Sequence, residues 1–312
     1  MKKVGLIGVG AVGAIYGWRL SELLGYENVE IIVDDKRKER YEREGIYLNE
    51  KQVSFNYVTT PLNDEKSDLI IIATKNNHLE KAIASIAPFV KEETTIISLL
   101  NGIDSEEILA THFGKEKLLY AFTTALDSTR LNNKINFSTE GIIYFGEKDN
   151  VKTDRIKKIE KLFSDAKINH IVPDDIHLEM WAKFMVNVSI NTVSAITGAT
   201  YGQCASFESL KTLIIESQKE VIELAQKIGI KGLDHSYIQK YQKIFASLEY
   251  GGKTSMLQDM ESKRETENRW FCLRASELGK SVGLKLPLVE HMGLIVEGLE
   301  AVNQDNKKRP PQ

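Results

Sequence analysis

Residues 3–13 leave this chain few folds to choose from. Lys3 to Ile7 is a short apolar run that reads as a buried strand. Gly8-Val9-Gly10-Ala11-Val12-Gly13 follows, and then an amphipathic segment from Ala14 to Leu24. A G-x-G-x-x-G between strand and helix is the dinucleotide-binding fingerprint. Gly8 permits the tight turn, Gly10 lets the backbone approach a pyrophosphate, and Gly13 lets helix pack on strand. Backbone around Val9, Ala11 and Val12 then faces the phosphates, at a helix N-terminus with free N–H groups and a positive dipole end. The alternative is a merely glycine-rich turn. Against it, the next strand, Val29 to Val33, ends in Asp34, about 20 residues beyond the last glycine, as the fingerprint requires.

Asp34 bears on the choice of cofactor. A carboxylate there accepts hydrogen bonds from the ribose hydroxyls of NAD and repels the 2′-phosphate of NADP. Two like charges near 4 Å cost up to roughly 4 kcal/mol at an effective dielectric of 20. Asp35 adds to the repulsion, whereas Lys36, Arg37 and Arg40 are cations able to rescue a phosphate. NAD is the expected cofactor and NADP the alternative.

The pattern then predicts a turn-bearing stretch to Pro61, a strand over 68–73, a helix over 79–89 and a strand over 94–100. A strand over 118–122 comes next, then a hairpin made of 136–138 and 141–146, a helix over 151–166 and a last strand over 168–172. Strands alternating with helices predict a doubly wound parallel sheet, whose ligands bind beyond the carboxyl ends of the strands. Thr74 and Lys75, Asn101 of Asn101-Gly102, and Ala125 follow such ends and are candidate cofactor contacts. A surface Lys or a turn Asn explains Lys75 or Asn101 equally well when each is taken alone.

From Pro173 onward everything reads helical, so residues 1–172 are expected to form the dinucleotide-binding domain and 173–312 a helical substrate and dimerisation domain. One long helix is expected over 176–196, with Asp174 and Asp175 ready to cap it and Gly198 ending it. It is apolar on nearly every side, which predicts burial nearly all round. Lys183, Asn187, Asn191 and Ser194 nevertheless fall on one stripe. A buried ammonium without a partner costs several kcal/mol, so the stripe faces either water or a polar ligand. Further helices are expected over 208–228 and 237–248, then one starting at Ser255, with Gln258 completing a capping box, and running through Trp270 to about Val282. A last helix is expected from Pro287 to about Val302, before a solvated basic tail at Lys307-Lys308-Arg309.

Composition excludes several classes. The 312 residues carry a net charge of −3, so no global field recruits nucleic acid or acidic membranes. Cys204 and Cys272 lie far apart without metal-ligand spacing, which fits two reduced, inert thiols and no metal. The start, MKK and then apolar residues, is too rich in glycine for a signal peptide, and no stretch is long and apolar enough for a membrane span. A cytoplasmic location is expected.

Taken together, these motifs resemble the ketopantoate reductase family over nearly the whole chain. The matching residues are the Gly8–Gly13 loop, Lys75, Asn101-Gly102, Trp181-Ala182-Lys183 with Asn187 and Asn191, Ser255-Met256-Leu257-Gln258-Asp259, and Thr266-Glu267. The resemblance implies a Rossmann domain followed by an all-helical domain, a cleft between them, and a homodimer assembled through the helical part. It implies that Lys183 donates a proton to the carbonyl of a 2-oxo acid while hydride reaches C2. It also implies that Asn187, Asn191 and Ser255 hold the acid, that Asn101 touches both ligands, and that Glu267 lies by the cofactor. A Lys ammonium suits that chemistry because an alkoxide develops at the carbonyl oxygen.

Three departures matter. Tyr201-Gly202 stands where these reductases commonly carry Asn-Gly, Glu267 is followed by Asn268-Arg269-Trp270-Phe271-Cys272, and Asp34 stands where NADP-using members usually have a basic residue. Tyr201 trades an amide donor for an aromatic surface, which suits a bulkier, less polar acid, although Tyr201, Trp270 and Phe271 fit a core equally well. The sequence resembles the family's NAD-dependent D-2-hydroxyacid dehydrogenase branch, the D-mandelate type, acting on branched or aromatic 2-oxo acids. The alternatives are an NADPH-dependent 2-dehydropantoate 2-reductase and a non-catalytic dinucleotide sensor.

Overall fold

A computed structural model describes residues 1–61 and 65–308. Two compact units make up the chain, Met1–Ile176 and the remainder from His177.

The first unit runs β1 (Val4–Ile7), α1 (Ala11–Leu24), β2 (Val29–Ile32), α2 (Asp35–Glu44), β3 (Ile46–Leu48), β4 (Lys51–Val53), β5 (Asn56–Val58), β6 (Leu69–Ile72), α3 (Leu79–Ile86), β7 (Thr95–Ser98), α4 (Ser105–Phe113), β8 (Leu118–Leu131), β9 (Lys134–Gly146), α5 (Asp154–Asp165) and β10 (His170–Ile171). Among the described residues these strands form one sheet in the order β4-β3-β9-β8-β7-β6-β1-β2-β5, with β10 beside β9. The six strands from β8 to β5 are all mutually parallel. Strands buried on both faces read as continuous apolar runs, and β1, β2, β6 and β7 are buried at every position. Ala14, Ile15 and Leu20 of α1 and Ile156, Ile159 and Phe163 of α5 fill the core on one face. Leu79, Ala82, Ile83 and Ile86 of α3 and Leu109 of α4 fill it on the other. The strand order reverses between β1 and β6, and ligands of such sheets bind beyond the carboxyl ends at that switch point.

Three expectations for this unit need correcting. The stretch before Pro61 contains α2, β3, β4 and β5. Helix α2 is almost entirely charged and buries only Tyr41, so it carries no apolar period to read. The expected hairpin of 136–138 and 141–146 is instead the single strand β9, and its partner is β8, which continues beyond Phe122 to Leu131. From Thr124 onward β8 alternates half-buried and exposed residues, as a strand with one solvated face does. The last strand is shorter than expected, only His170–Ile171.

The second unit is all helix: α6 (Ile176–Val186), α7 (Thr192–Thr197), α8 (Tyr201–Ser206), α9 (Glu208–Lys227), α10 (His235–Ser247), α11 (Ser255–Glu261), α12 (Cys272–Ser281) and α13 (Pro287–Lys308). Between α6 and α7 the chain runs as a π-helix, Asn187–Asn191, so the expected continuous helix is interrupted. The expected helix from Ser255 to Val282 is two helices. Lys263 takes a left-handed φ of 52°, Arg264 N–H donates to Asp259 O (2.8 Å) and Lys263 N–H to Met260 O (2.9 Å). This is a Schellman stop with lysine where glycine is usual, so the sequence does not announce it. Helix α13 reaches Lys308, so Lys307 and Lys308 are exposed helical residues, and Lys307 donates to the Lys263 carbonyl; Arg309 lies outside the described residues. Cys204 and Cys272 are buried and unbridged, and burial pushes their thiols up to about 11 and about 12. No helix among the described residues is long and apolar enough to cross a membrane, and no His, Cys, Asp or Glu cluster among them suits a metal.

Candidate active site

In the first unit the glycine loop joins β1 to α1 at the switch point. Gly8 has φ +103°, and a Cβ there would meet the Ala73 carbonyl at 2.5 Å. A Cβ on Gly13 would lie 2.0 Å from Gly8 O. Both positions are closed to any larger residue. Gly10 caps α1, and its nearest neighbour would be Ala73 O at 3.9 Å, so its hydrogen faces open space. These are the properties a pyrophosphate cradle needs. Val9 is buried, while Ala11 and Val12 stay half-exposed in the first turn of α1.

Neighbouring strand ends complete that edge. Thr74 and exposed Lys75 follow β6, and the buried Thr74 Oγ1 has no hydrogen-bond partner. A buried hydroxyl left unpaired costs about 1–3 kcal/mol, which a bound polar ligand recovers. Half-buried Asn101 follows β7. Asn76, which sequence reasoning missed, donates from Nδ2 to Asn101 O (2.8 Å) and ties the two strand ends together. Ala125 lies in β8 with φ +53°, opposite Gly141 at φ +77°, and Thr139 Oγ1 donates to its carbonyl (2.6 Å). Asp34 is exposed at the end of β2 and caps α2, accepting from Arg37 N–H (2.7 Å) and from the Arg37 guanidinium (3.2 Å). The carboxylate is thus present and oriented, with a cation beside it.

In the second unit the π-helical stretch sets the geometry. Asn187 and Asn191 are both buried, and Asn191 Nδ2 donates to Asn187 Oδ1 (3.1 Å). Asn187 Nδ2 is left without a hydrogen-bond partner. Within this stretch Ser189 Oγ donates to Met185 O (2.8 Å). One extra residue in a helix rotates everything after it by about 100°. Ser194 therefore leaves the stripe. It is fully buried, donates to Ala199 O (2.6 Å) and accepts from Thr254 Oγ1 (3.1 Å), so it is structural. Half-buried Lys183 lies in α6, one turn before Asn187.

Helix α11 packs against α7 and the π-helical stretch. Its cap is buried Thr254, which accepts from Leu257 N–H (3.2 Å); Ser255 is the first helical residue and is exposed. This corrects the expected capping box, while a true one forms at Thr200 and Gln203, at the start of α8. Tyr201 N–H donates to Gly252 O (2.9 Å), and a Cβ on Gly252 would lie 3.2 Å from its ring. Tyr201 therefore lies against the segment that leads into Ser255. Phe271 is core, Trp270 is half-buried, and half-buried Glu267 precedes a turn held by Asn268 Nδ2 donating to Gly293 O (2.9 Å).

Comparison with known proteins agrees with this layout. The family model for ketopantoate reductase PanE/ApbA matches residues 4–150, and that for its C-terminal part matches residues 175–300. An uncharacterized oxidoreductase of Bacillus subtilis, YkpB, is 26% identical over 91% of this chain and 94% of its own. A 2-dehydropantoate 2-reductase of Pyrococcus horikoshii is 26% identical over 98% of this chain and 100% of its own. Among solved structures, a D-mandelate dehydrogenase with NADH and anilino(oxo)acetate superposes with a TM-score of 0.86 at 23% identity, covering 97% of this chain and 99% of that one. A 2-dehydropantoate 2-reductase from Geobacter metallireducens gives 0.84 at 24% identity, covering 95% and 99%. The chain belongs to the ketopantoate reductase PanE/ApbA family and is a nicotinamide-dinucleotide-dependent oxidoreductase acting on CH–OH groups.

Proposed function

We propose that the protein is an NAD-dependent D-2-hydroxyacid dehydrogenase that interconverts a branched or aromatic 2-oxo acid and its 2-hydroxy acid. The observation that carries the reading is the buried amide of Asn187, with Nδ2 unpaired and Oδ1 held by Asn191. Burial without a partner is costly, and a carbonyl or carboxylate oxygen of the acid removes that cost.

Lys183, one helical turn away, stabilises charge developing on the carbonyl oxygen and delivers its proton there. Asn191 fixes the Asn187 side chain so that its amide nitrogen faces the acid. The Ser255 hydroxyl is available to the acid's carboxylate, and Tyr201 supplies an aromatic surface where an amide would favour a small polar side chain. When bound, the nicotinamide dinucleotide exchanges hydride with C2 of the acid. The Gly8–Gly13 loop, Thr74, Lys75, Asn101 and Ala125 would hold it, and Asp34 would bind its adenosine ribose. The similarity to a D-mandelate dehydrogenase with NADH supports this branch. As in the Staphylococcus aureus ketopantoate reductase described as dimeric, a homodimer is the expected assembly.

One observation favours a second reading. The Arg37 guanidinium beside Asp34 is placed to meet a 2′-phosphate, and relatives such as that of P. horikoshii are 2-dehydropantoate 2-reductases. Oxidation of NADH and of NADPH, each with ketopantoate and with benzoylformate, separates the two. Fast turnover with NADH and benzoylformate is expected. Turnover confined to NADPH and ketopantoate, with NADPH binding weakened by Arg37→Glu, would assign the second reading.

A further inference from the structure

We propose that Arg130 is a positioning residue for the dinucleotide, acting through the peptide that joins Val9 to Gly10. The proposal rests on the dinucleotide reading of the glycine loop. Arg130 lies 121 residues from that loop, near the tip of the β8–β9 hairpin, and its Nη1 donates to the Val9 carbonyl. Its Nε donates to Asn132 O (2.8 Å), across a turn in which Asn132 takes φ +56°. The tip is itself fastened down. Asn133 Nδ2 donates to Glu44 O (2.8 Å), and Asn49 exchanges two hydrogen bonds with the Phe137 backbone (2.8 and 3.0 Å). The guanidinium is thus held at the loop by a braced hairpin rather than left to wander on a flexible side chain. It also interacts electrostatically with Tyr57 of β5, the strand beside β2 and so beside the edge where Asp34 stands.

The consequence follows from peptide geometry. Across a planar trans peptide the carbonyl and the N–H point in opposite directions. Arg130 holds the Val9 oxygen, so the Gly10 N–H is turned away from the hairpin, at the start of α1 where N–H groups lack helical partners. A charged donor on the carbonyl also polarises that peptide and strengthens its N–H as a donor to an anion. Without this contact, a loop containing three glycines samples more conformations, and binding a pyrophosphate must order it. A full positive charge also stays near the phosphates.

The test measures NADH and ADP-ribose affinity for the intact protein and for Arg130→Ala, Arg130→Gln and Arg130→Lys. Arg130→Ala is expected to weaken both ligands about tenfold and Arg130→Lys about threefold. Because ADP-ribose lacks nicotinamide, an equal loss for both places the effect on the pyrophosphate half. The melting temperature of the cofactor-free protein, and kcat at saturating NADH, are expected to stay near wild type, so the cofactor KM alone rises. If Arg130→Ala fails to fold, Arg130→Gln and Arg130→Lys carry the comparison. Unchanged affinity in a folded variant, or a fall in kcat with affinity kept, would overturn the proposal alone. A wild-type protein that binds neither NADH nor NADPH would remove the dinucleotide reading and this proposal with it.

Discussion

The glycine loop of the first unit and the π-helical stretch of the second differ in what they ask of the sequence. The loop is made of backbone, and its demand is for the absence of a side chain: a Cβ on Gly8 or Gly13 would collide with carbonyl groups. The π-helical stretch is made of side chains whose placement depends on one extra residue of helical register. Residue type records the first demand directly. Nothing in Asn187-Val188-Ser189-Ile190-Asn191 records the second.

Substitutions sharpen that contrast. Gly13→Ala is expected to have the largest effect, because Gly8 O, only 2.0 Å from the new Cβ, is backbone and cannot yield locally. It should cost about 3 kcal/mol or more in stability, measured by denaturant unfolding. Gly10→Ala breaks the loop differently. Its Cβ has room in the protein, so stability should hold while dinucleotide affinity falls at least about tenfold, because the methyl occupies the phosphate's approach. Equal destabilisation by both variants would show that the loop is merely tightly packed.

In the second unit, Asn187→Ala should lower kcat/KM for the oxo acid by about ten- to a hundredfold, with NADH affinity unchanged. A matching fall in NADH affinity would move Asn187 away from the acid.

A separate effect is on stability against pH. Burial pushes Glu106, at the start of α4, from its ordinary 4.5 up to about 7. The folded state then holds a proton that the unfolded state has lost, so this contribution is complete below about pH 4.5 and disappears as pH rises through about 7. It amounts to about 3 kcal/mol at most. Glu106→Gln should flatten that decline, whereas a parallel decline in the variant would assign it to other groups.

Much of the first unit is readable because β1, β2, β6 and β7 are short and buried at every position. Its charged helix α2 is not, since it buries only Tyr41 and so carries no apolar period. The outer half of β8 carries no strand expectation, because one of its faces is solvated and it lacks a continuous apolar run. In the second unit the apolar helix 176–196 was plain, but straight extrapolation carried Ser194 into a stripe that the π turn removes it from. The stop at Lys263 was hidden because a lysine adopts the conformation usually left to glycine. Asn76 and Arg130 were missed for a common reason. Each acts on a backbone carbonyl distant in sequence, 25 and 121 residues away, and such contacts leave no local pattern.

The most direct measurement is turnover and NADH binding by Lys183→Ala alongside wild type, with the oxo acid the wild-type enzyme reduces fastest. The expected result is a loss of about a thousandfold in kcat with NADH bound as tightly as before, since the substitution removes the proton donor and leaves the glycine loop untouched. Wild-type turnover in that variant would contradict the assignment of the chemistry to Lys183.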